Sequence, residues 1–364
     1  MGERVRVGIV GCGLVAQAMH LPYLAHLGSR FELVAVADPS ATVREAVGRR
    51  YGARGAYADY RELLDAGGLD ALVVASPAGT HAEVVLAALE AGLHVFVEKP
   101  LCITLRDADR ITAARDRAGR VVQVGYMKRF DPAFGRMLAE LPESAEALRY
   151  VRVLVHDPEF VPFFGADDVV RAVDVPAGVV EAGRRAEAEQ VEEAVGDGSP
   201  EAVLAFSDGY LGSLVHDVNL VHGLLGQLGE PLPARVVDAA WWAGGRALTG
   251  SVELAGGARW DSAWIQLLEI REYRESLALY FADSVRTLTF PSPWLKQSPT
   301  RYERGGADGL AHRVQVFESY EESFQRELAH FHECVTTGAP PRTPPELARL
   351  DIDALTQMFL AARR

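Results

Sequence analysis

Short apolar runs alternate with stretches of helical composition through roughly the first 125 residues. Val5–Val10, Phe31–Ala37, Ala71–Ser76, His94–Val97 and Val121–Val124 are rich in valine and bounded by turn residues, the pattern of strands buried on both faces. Between them Ala41–Tyr51, Thr80–Ala91 and Thr104–Ala118 read as helices, with Gly52, Gly92 and Gly119 at or near their ends. This alternation predicts βαβ units and a doubly wound parallel sheet over residues 1–125, an α/β domain. After Tyr126 the pattern changes. Leu148–His156, Ser251–Leu254, Ala263–Glu269, Ser276–Phe281 and Val285–Phe290 predict a large, mostly antiparallel sheet in a second, α+β domain spanning 126–364. Phe317–Thr336 and Pro345–Ala362 read as closing amphipathic helices, and the polar stretch Pro291–His312 as a loop.

One segment stands apart. Val179–Glu201, in an insertion at about 160–205, carries Glu181, Glu187, Glu189, Glu192, Glu193, Asp197 and Glu201 against Arg184 and Arg185. It reads as a solvated helix, with a mobile acidic flap as the alternative. There are no internal repeats.

The balance of 37 basic against 50 acidic residues gives a net charge of −13, which argues against nucleic acid or an anionic membrane surface as partner. No apolar run approaches the ~20 residues of a membrane helix, and no signal-peptide or myristoylation pattern is present, so a cytoplasmic protein is expected. Cys12, Cys102 and Cys334 are odd in number and far apart, suggesting neither a disulfide framework nor a metal site.

Gly11-Cys12-Gly13-Leu14-Val15-Ala16 follows the first strand and opens a helix, the G-x-G-x-x-G/A form of a dinucleotide-binding turn in its required context. Gly11 permits the turn, Gly13 lets the backbone approach a pyrophosphate, and Ala16 allows close helix–strand packing. The helix N-terminus then offers N–H groups to the phosphates. Asp38 ends the second strand, where a carboxylate hydrogen-bonds ribose hydroxyls and repels a 2′-phosphate; NAD is therefore expected ahead of NADP. Arg44 weighs against that preference, and Asp38 capping the turn at Pro39-Ser40 is the alternative. The strand His94–Val97 runs into Glu98-Lys99-Pro100. Pro100 makes the backbone at Lys99 extended and a cis bond possible, aiming an ammonium that could stabilise a developing alkoxide. A solvated Lys99 paired with Glu98 is the plain reading.

Gly11–Ala16, Ala75-Ser76-Pro77 with Thr80-His81, Glu98-Lys99-Pro100 and Val124–Pro132 together resemble the Gfo/Idh/MocA family of NAD(P)-dependent oxidoreductases. Glu327–Phe331 through Thr337-Gly338 to Pro340-Pro341 is similar to that family's closing helix and turn. The likeness covers most of the chain outside residues about 160–205. It implies a Rossmann domain followed by a domain whose open-faced sheet carries the substrate and often an oligomer interface, hence a homodimer or homotetramer. It implies hydride exchange with a secondary alcohol or ketone of a sugar, cyclitol or glycoside. Lys99 would belong to the catalytic set, Glu98 would lie near the nicotinamide, and Ser76, Pro77 and His81 along the cofactor.

The family usually carries Asp-x-x-x-His on a helix of the second domain, and the matching stretch here is Gly212–Leu220. His216 would be the proton carrier, since imidazole titrates near neutrality; a hydrogen-bonded core histidine is the alternative. Gly212 stands where the aspartate is expected, and Asp217 points about 100° away around the helix. Gly212, His216, Asn219 and Gly223 share one face, a small and polar stripe suited to a cavity wall. Tyr126, Arg129 and Asn219 are the substrate-side candidates, against packing for Tyr126 and a salt bridge for Arg129. Trp241-Trp242 suits either sheet core or an oligomer face. Two other functions stay open: a glycosidase-like lyase or hydrolase that recycles bound NAD, and a non-catalytic cofactor-binding sensor.

Overall fold

The computed structural model describes residues 4–158 and 169–363. They divide into two compact units: residues 1–126 with 162–194 and 324–349, and residues 127–161 with 195–323 and 350–364. Neither unit is one continuous stretch, because the insertion and the penultimate helix return to the first unit, unlike a linear division at 125/126.

The first unit is built on β1 (Val5–Val10), β2 (Phe31–Ala37), β3 (Gly55–Tyr57), β4 (Ala71–Val74), β5 (His94–Glu98) and β6 (Val122–Gly125). All pairings are parallel, in the order β3-β2-β1-β4-β5-β6. This is the doubly wound Rossmann order, whose carboxyl edge between β1 and β4 is the place where ligands bind. Val7, Ile9, Val73, Val95 and Phe96 are fully buried, as strands covered on both faces require. Ser40 and Thr104 cap the helices Ala41–Tyr51 and Leu105–Ala118 by accepting hydrogen bonds from Val43 and Asp107 N–H. Helix Ser323–Thr337 covers the sheet with Phe331, whose ring meets Phe96 edge-on at 5.7 Å. Thr343 then lies along β6, donating its hydroxyl to Val124 O at 2.7 Å and accepting from Val124 N–H at 2.9 Å.

The second unit carries an eight-stranded sheet of β7 (Leu148–Pro158), β8 (Arg235–Trp242), β9 (Ala247–Glu253), β10 (Arg259–Leu267), β11 (Arg274–Phe281), β12 (Ser284–Phe290), β13 (Arg301–Asp308) and β14 (Ala311–Glu318). The order is β14-β13-β12-β11-β7-β10-β9-β8, antiparallel throughout except for the parallel pair β7–β10. Leu148, Val151, Val153 and Val155 of β7 are buried, as are Trp260, Ser262 and Trp264 of β10. A helical layer covers that side: Leu204–Leu214, wound as a π-helix, runs into the α-helix Val215–Gln227. Trp241 stacks on Phe359 while Trp242 is 49% exposed, so the pair splits between the two faces of β8.

Two expectations need correction. Pro291–His312 is not a loop, for it contains β13 and the start of β14, and Phe317 belongs to β14, the last helix but one beginning at Ser323. β14 is an edge strand exposed along nearly its whole length, and β13, between β12 and β14, carries Glu303-Arg304-Gly305-Gly306, which lacks the apolar alternation that marks a half-buried strand. The acidic segment is the helix Ala177–Val195, exposed from 177 to 185 and anchored near its end on the first unit. There Gln190 Nε2 donates to Gly79 O at 2.8 Å and Glu193 pairs with Arg106 at 2.8 Å. The part of the insertion between 160 and 168 lies outside the described residues. Among those described, no helix is long and apolar enough to cross a membrane.

Among the buried carboxyl groups of the first unit, Glu98 and Glu327 have opposite behaviour. Burial pushes Glu98 up, but His20 Nε2 at 2.5 Å and the neighbouring Lys99 outweigh it and hold Glu98 below the usual carboxylate range. Glu327 is fully buried with no hydrogen-bond partner for either side-chain oxygen among the described residues, and burial plus the Glu98 charge push it well above its ordinary value. A raised acid stabilises the fold below its unfolded pKa and loses that contribution as pH climbs toward the folded value. The isosteric Glu327→Gln variant therefore melts higher than the parent at pH 9 by a margin roughly 5 °C larger than at pH 5. A pH-independent difference in melting temperature would refute the assignment.

Candidate functional site

The glycine-rich turn leaves β1 at Gly11, whose φ is +84°. A Cβ at this position would lie 2.5 Å from both Ala75 O and Ser76 N, so the end of β1 presses directly on the chain leaving β4. Gly13 is the opposite case: it is exposed and nothing stands within 4 Å of where its Cβ would be. The turn thus offers open backbone to an incoming group. Leu14 and Val15 are half-buried, and Ala16 is 1% exposed where the helix packs on the sheet. The next turn, Ala16–His20, is π-helical and turns Gln17 inward, its amide donating to Cys12 O at 2.7 Å. Burial, and next the Asp38 charge, raise the Cys12 thiol far above its ordinary value, so it is no nucleophile.

Asp38 is tied to the same turn. Its Oδ2 accepts from Cys12 N–H at 2.9 Å and its Oδ1 from Ser40 N–H at 2.9 Å. The second bond is the cap considered from sequence, and the first couples the end of β2 to the glycine turn. Arg44 donates to the carbonyls of Asp38 and Pro39, at 3.3 and 3.2 Å.

Beyond β4, Ser76 Oγ lies 2.7 Å from Thr80 Oγ1, and Pro77 leads into helix Ala78–Glu90, which has no side-chain cap. His81, 1% exposed, spans two strand ends: its ring nitrogens lie 2.7 Å from Ser76 O and 2.7 Å from Pro100 O. Either neutral tautomer donates to only one of these carbonyls. Burial outweighs both carbonyls and lowers the imidazole below its ordinary value. The Lys99–Pro100 bond is cis, and Glu98 Oε2 accepts from Lys99 N–H at 3.1 Å. Lys99 is half-buried at the end of β5. Gly11, Cys12, Gly13, Leu14, Val15, Ala16, Asp38, Ser76, Pro77, His81, Glu98 and Lys99 all belong to this first unit, at the carboxyl edge of its sheet. Tyr126 is 1% exposed there, matching the packing alternative.

His216, Asn219 and Arg129 lie in the second unit. The helix carrying His216 is half-exposed only at Gly212, Ser213, His216 and Gly223 between 211 and 225; Asn219 is 1% exposed. Asn219 donates its amide to Asp351 Oδ2 at 2.6 Å, and His222 Nδ1 lies 2.6 Å from Asp351 Oδ1. The polar stripe inferred from sequence is therefore interrupted at Asn219. Gly223 makes room for Arg129: a Cβ would fall 1.6 Å from Arg129 Nη1, which donates to Asn219 O at 3.0 Å. The π-helical path also explains Gly212, because a Cβ there would lie 2.8 Å from Ser207 O, five residues back.

Sequence reasoning missed the carboxylates around this helix. Asp157, at the end of β7, accepts from Ser213 Oγ and Trp264 Nε1, each at 2.6 Å. Lys128 pairs with Glu275 and lies 3.8 Å from Asp217, while Tyr273 donates to Glu275 Oε2 at 2.5 Å. Burial first, then the Asp157 charge, push Asp217 up to about 6 against the opposing pull of Lys128. Burial with the Asp157 and Asp217 charges raises Tyr273 well above its ordinary value. The signals in the sequence were Asp217, beside His216, and a lysine three residues beyond the end of β6, in Tyr126-Met127-Lys128. Among the described residues no group of three or more His, Cys, Asp or Glu is placed to hold a metal ion.

Residues 5–126 match a family described as an oxidoreductase family with an NAD-binding Rossmann fold. The chain is 41% identical over 138 residues to inositol 2-dehydrogenase 3 of Saccharopolyspora erythraea, a match covering 36% of this chain and 39% of that relative's length. It is 26% identical over 349 residues to myo-inositol 2-dehydrogenase of Thermotoga maritima, covering 94% and 91%. Among solved structures, a 3-ketoreductase from Actinomadura kijaniata in complex with TDP-benzene and NADP matches the fold with a TM-score of 0.72 at 18% identity, covering 99% of this chain and 97% of that one.

The two turn glycines separate fold from binding. Gly11→Ala meets backbone and an unfavourable φ, and loses about 1–3 kcal/mol or more of stability. Gly13→Ala meets only open space: its melting temperature stays within about 1 °C of the parent while NADH binding weakens at least tenfold. Unchanged NADH affinity in Gly13→Ala, measured by tryptophan quenching, would show that the turn does not face the pyrophosphate.

Proposed function

Given that the chain belongs to the Gfo/Idh/MocA family of oxidoreductases, we propose that it exchanges a hydride between NAD(H) and a secondary alcohol or ketone of a sugar, cyclitol or glycoside. The observation that carries this reading is the carboxyl edge of the first sheet, where Gly11 closes on β4, Gly13 stays open and Asp38 is bonded to the same turn. That edge fits a dinucleotide: open backbone for a pyrophosphate, a helix start beside it, and a carboxylate for the ribose. Bound NAD would supply the hydride acceptor, which the side chains of the protein do not provide.

The residues then have separable tasks. Asp38 favours NAD, since a second anion beside its carboxylate is unfavourable. Glu98, fixed by His20, accepts from the Lys99 backbone N–H, and His81 Nδ1 lies 2.7 Å from Pro100 O on the next residue, so the backbone is held on both sides of the Lys99–Pro100 bond. Lys99 is thereby positioned as a charged donor to the reacting oxygen, favouring the alkoxide as it forms. His216, on the accessible stripe of its helix, is the proton carrier, with Ser213 one turn before it and the Asp157 carboxylate bonded to that serine. The buried charges of Lys128, Asp217 and Glu275 lie in the same unit as His216 and suit a polyhydroxylated substrate rather than an apolar one.

Titration with NADH and NADPH tests the cofactor, and a turnover screen on inositols and sugars at 340 nm tests the reaction. NADH binds more tightly, and at least one polyol is oxidised. Lys99→Ala lowers kcat by about 100-fold or more while NADH affinity stays within about twofold, because the lost interaction is made only in the transition state. Failure of both nucleotides to bind would overturn the cofactor, and a fully active Lys99→Ala would overturn the role of the lysine.

A further inference from the structure

The insertion does more than add an acidic helix. Its stretch from 169 to 174 is held against the first unit at two places. Gln17 clasps it from the π-helical turn, its Nε2 donating to Val170 O at 2.9 Å and its Oε1 accepting from Val170 N–H at 2.8 Å. Four residues on, Asp174 takes the start of helix Ala41–Tyr51: Oδ1 accepts from the Ser40 hydroxyl and Oδ2 from Thr42 N–H at 3.0 Å. The strap therefore joins the structure after β1 to the structure after β2.

A 2′-phosphate would be sought by donors at the end of β2, beside the ribose. Donor groups there include the Ser40 hydroxyl, the Thr42 N–H and the Arg44 guanidinium. Asp174 accepts from the first two, and Arg44 is turned onto the carbonyls of Asp38 and Pro39. We propose that Asp174 is a specificity-determining residue, an intramolecular anion that occupies the donors a 2′-phosphate needs and so excludes NADP. Two carboxylates, Asp38 and Asp174, then flank Ser40, and a phosphate entering between them meets like charge, with the Ser40 hydroxyl and the Thr42 N–H already engaged. The Ser40 hydroxyl and Thr42 N–H also lower the Asp174 carboxyl below its ordinary value, keeping it ionised across the neutral range. The Gln17 clasp makes the placement definite, since both backbone groups of Val170 are engaged.

This inference rests on the nucleotide reading above, and its test separates the two. The full chain and its Asp174→Asn and Asp174→Ala variants are titrated with NADH and NADPH by fluorescence, and with ADP and 2′,5′-ADP by calorimetry. In the parent, NADH and ADP bind and their 2′-phosphorylated counterparts bind at least about tenfold more weakly. In both variants NADPH and 2′,5′-ADP tighten by about tenfold, while NADH and ADP stay within about twofold. Equal tightening of all four ligands would overturn the inference, showing a strap that merely covers the site; so would no change, or a parent that prefers NADPH. A parent that binds neither NADH nor ADP overturns the nucleotide reading itself, and the inference with it.

Discussion

The carboxyl ends of β1, β4 and β5 are held together by contacts with no space for a side chain and no slack in the backbone. Gly11 lies so close to Ala75 and Ser76 that a single Cβ would collide with both. One residue on, the buried His81 ring lies 2.7 Å from both Ser76 O and Pro100 O. Three strand ends are therefore tied together, and Lys99 stands on a backbone next to these contacts. A scaffold of this kind holds a reacting group in place without spending side-chain entropy when ligand arrives.

Both units keep ionisable groups where water does not reach, and they manage them differently. In the first, Glu98 is bonded to His20 and to the peptide N–H of Lys99, so its charge has partners and its pKa falls. Glu327, nearby in the electrostatic sense, has none among the described residues and is neutral by preference. In the second, Lys128 answers both Glu275 and Asp217, while Asp157 relies on a serine hydroxyl and an indole N–H. Burying so many polar groups is costly for stability, and proteins retain such arrangements mainly at working sites.

What could be read along the chain was what its periodicity carries. Val5–Val10, Phe31–Ala37 and Ala41–Tyr51 are found with the boundaries read from their apolar pattern and flanking turns. The strand β13 was illegible because Glu303-Arg304-Gly305-Gly306 gives alternation nothing to mark, while in β14 only Val314 and Val316 alternate with Arg313 and Gln315, a stretch too short to stand out. The stripe through His216 was only half legible. A 3.6-residue period was assumed, whereas Leu204–Leu214 winds as a π-helix and Ser207 O comes under Gly212. Gly223, read as cavity lining, turns out to be clearance for Arg129. No local pattern could have announced Asp157 or Asp174, since each works on residues far away in sequence, Ser213 and Ser40.

On the proposal made above for Asp174, the insertion builds selectivity without changing the fold's own motif. Gly11, Asp38 and the Glu98–Pro100 backbone are tied into the geometry of the sheet, so altering Gly11 or the bonds of Asp38 and Glu98 disturbs its carboxyl edge. A strap added from elsewhere in the chain escapes that constraint, because it needs only two anchors, at Gln17 and at Ser40 with Thr42. The helix N-terminus that would attract a phosphate is also the best available anchor for a carboxylate. The physical property that makes this end of β2 a good anion site thus makes it easy to close, and a carboxylate bonded to the protein's own donors closes it without touching the ribose side.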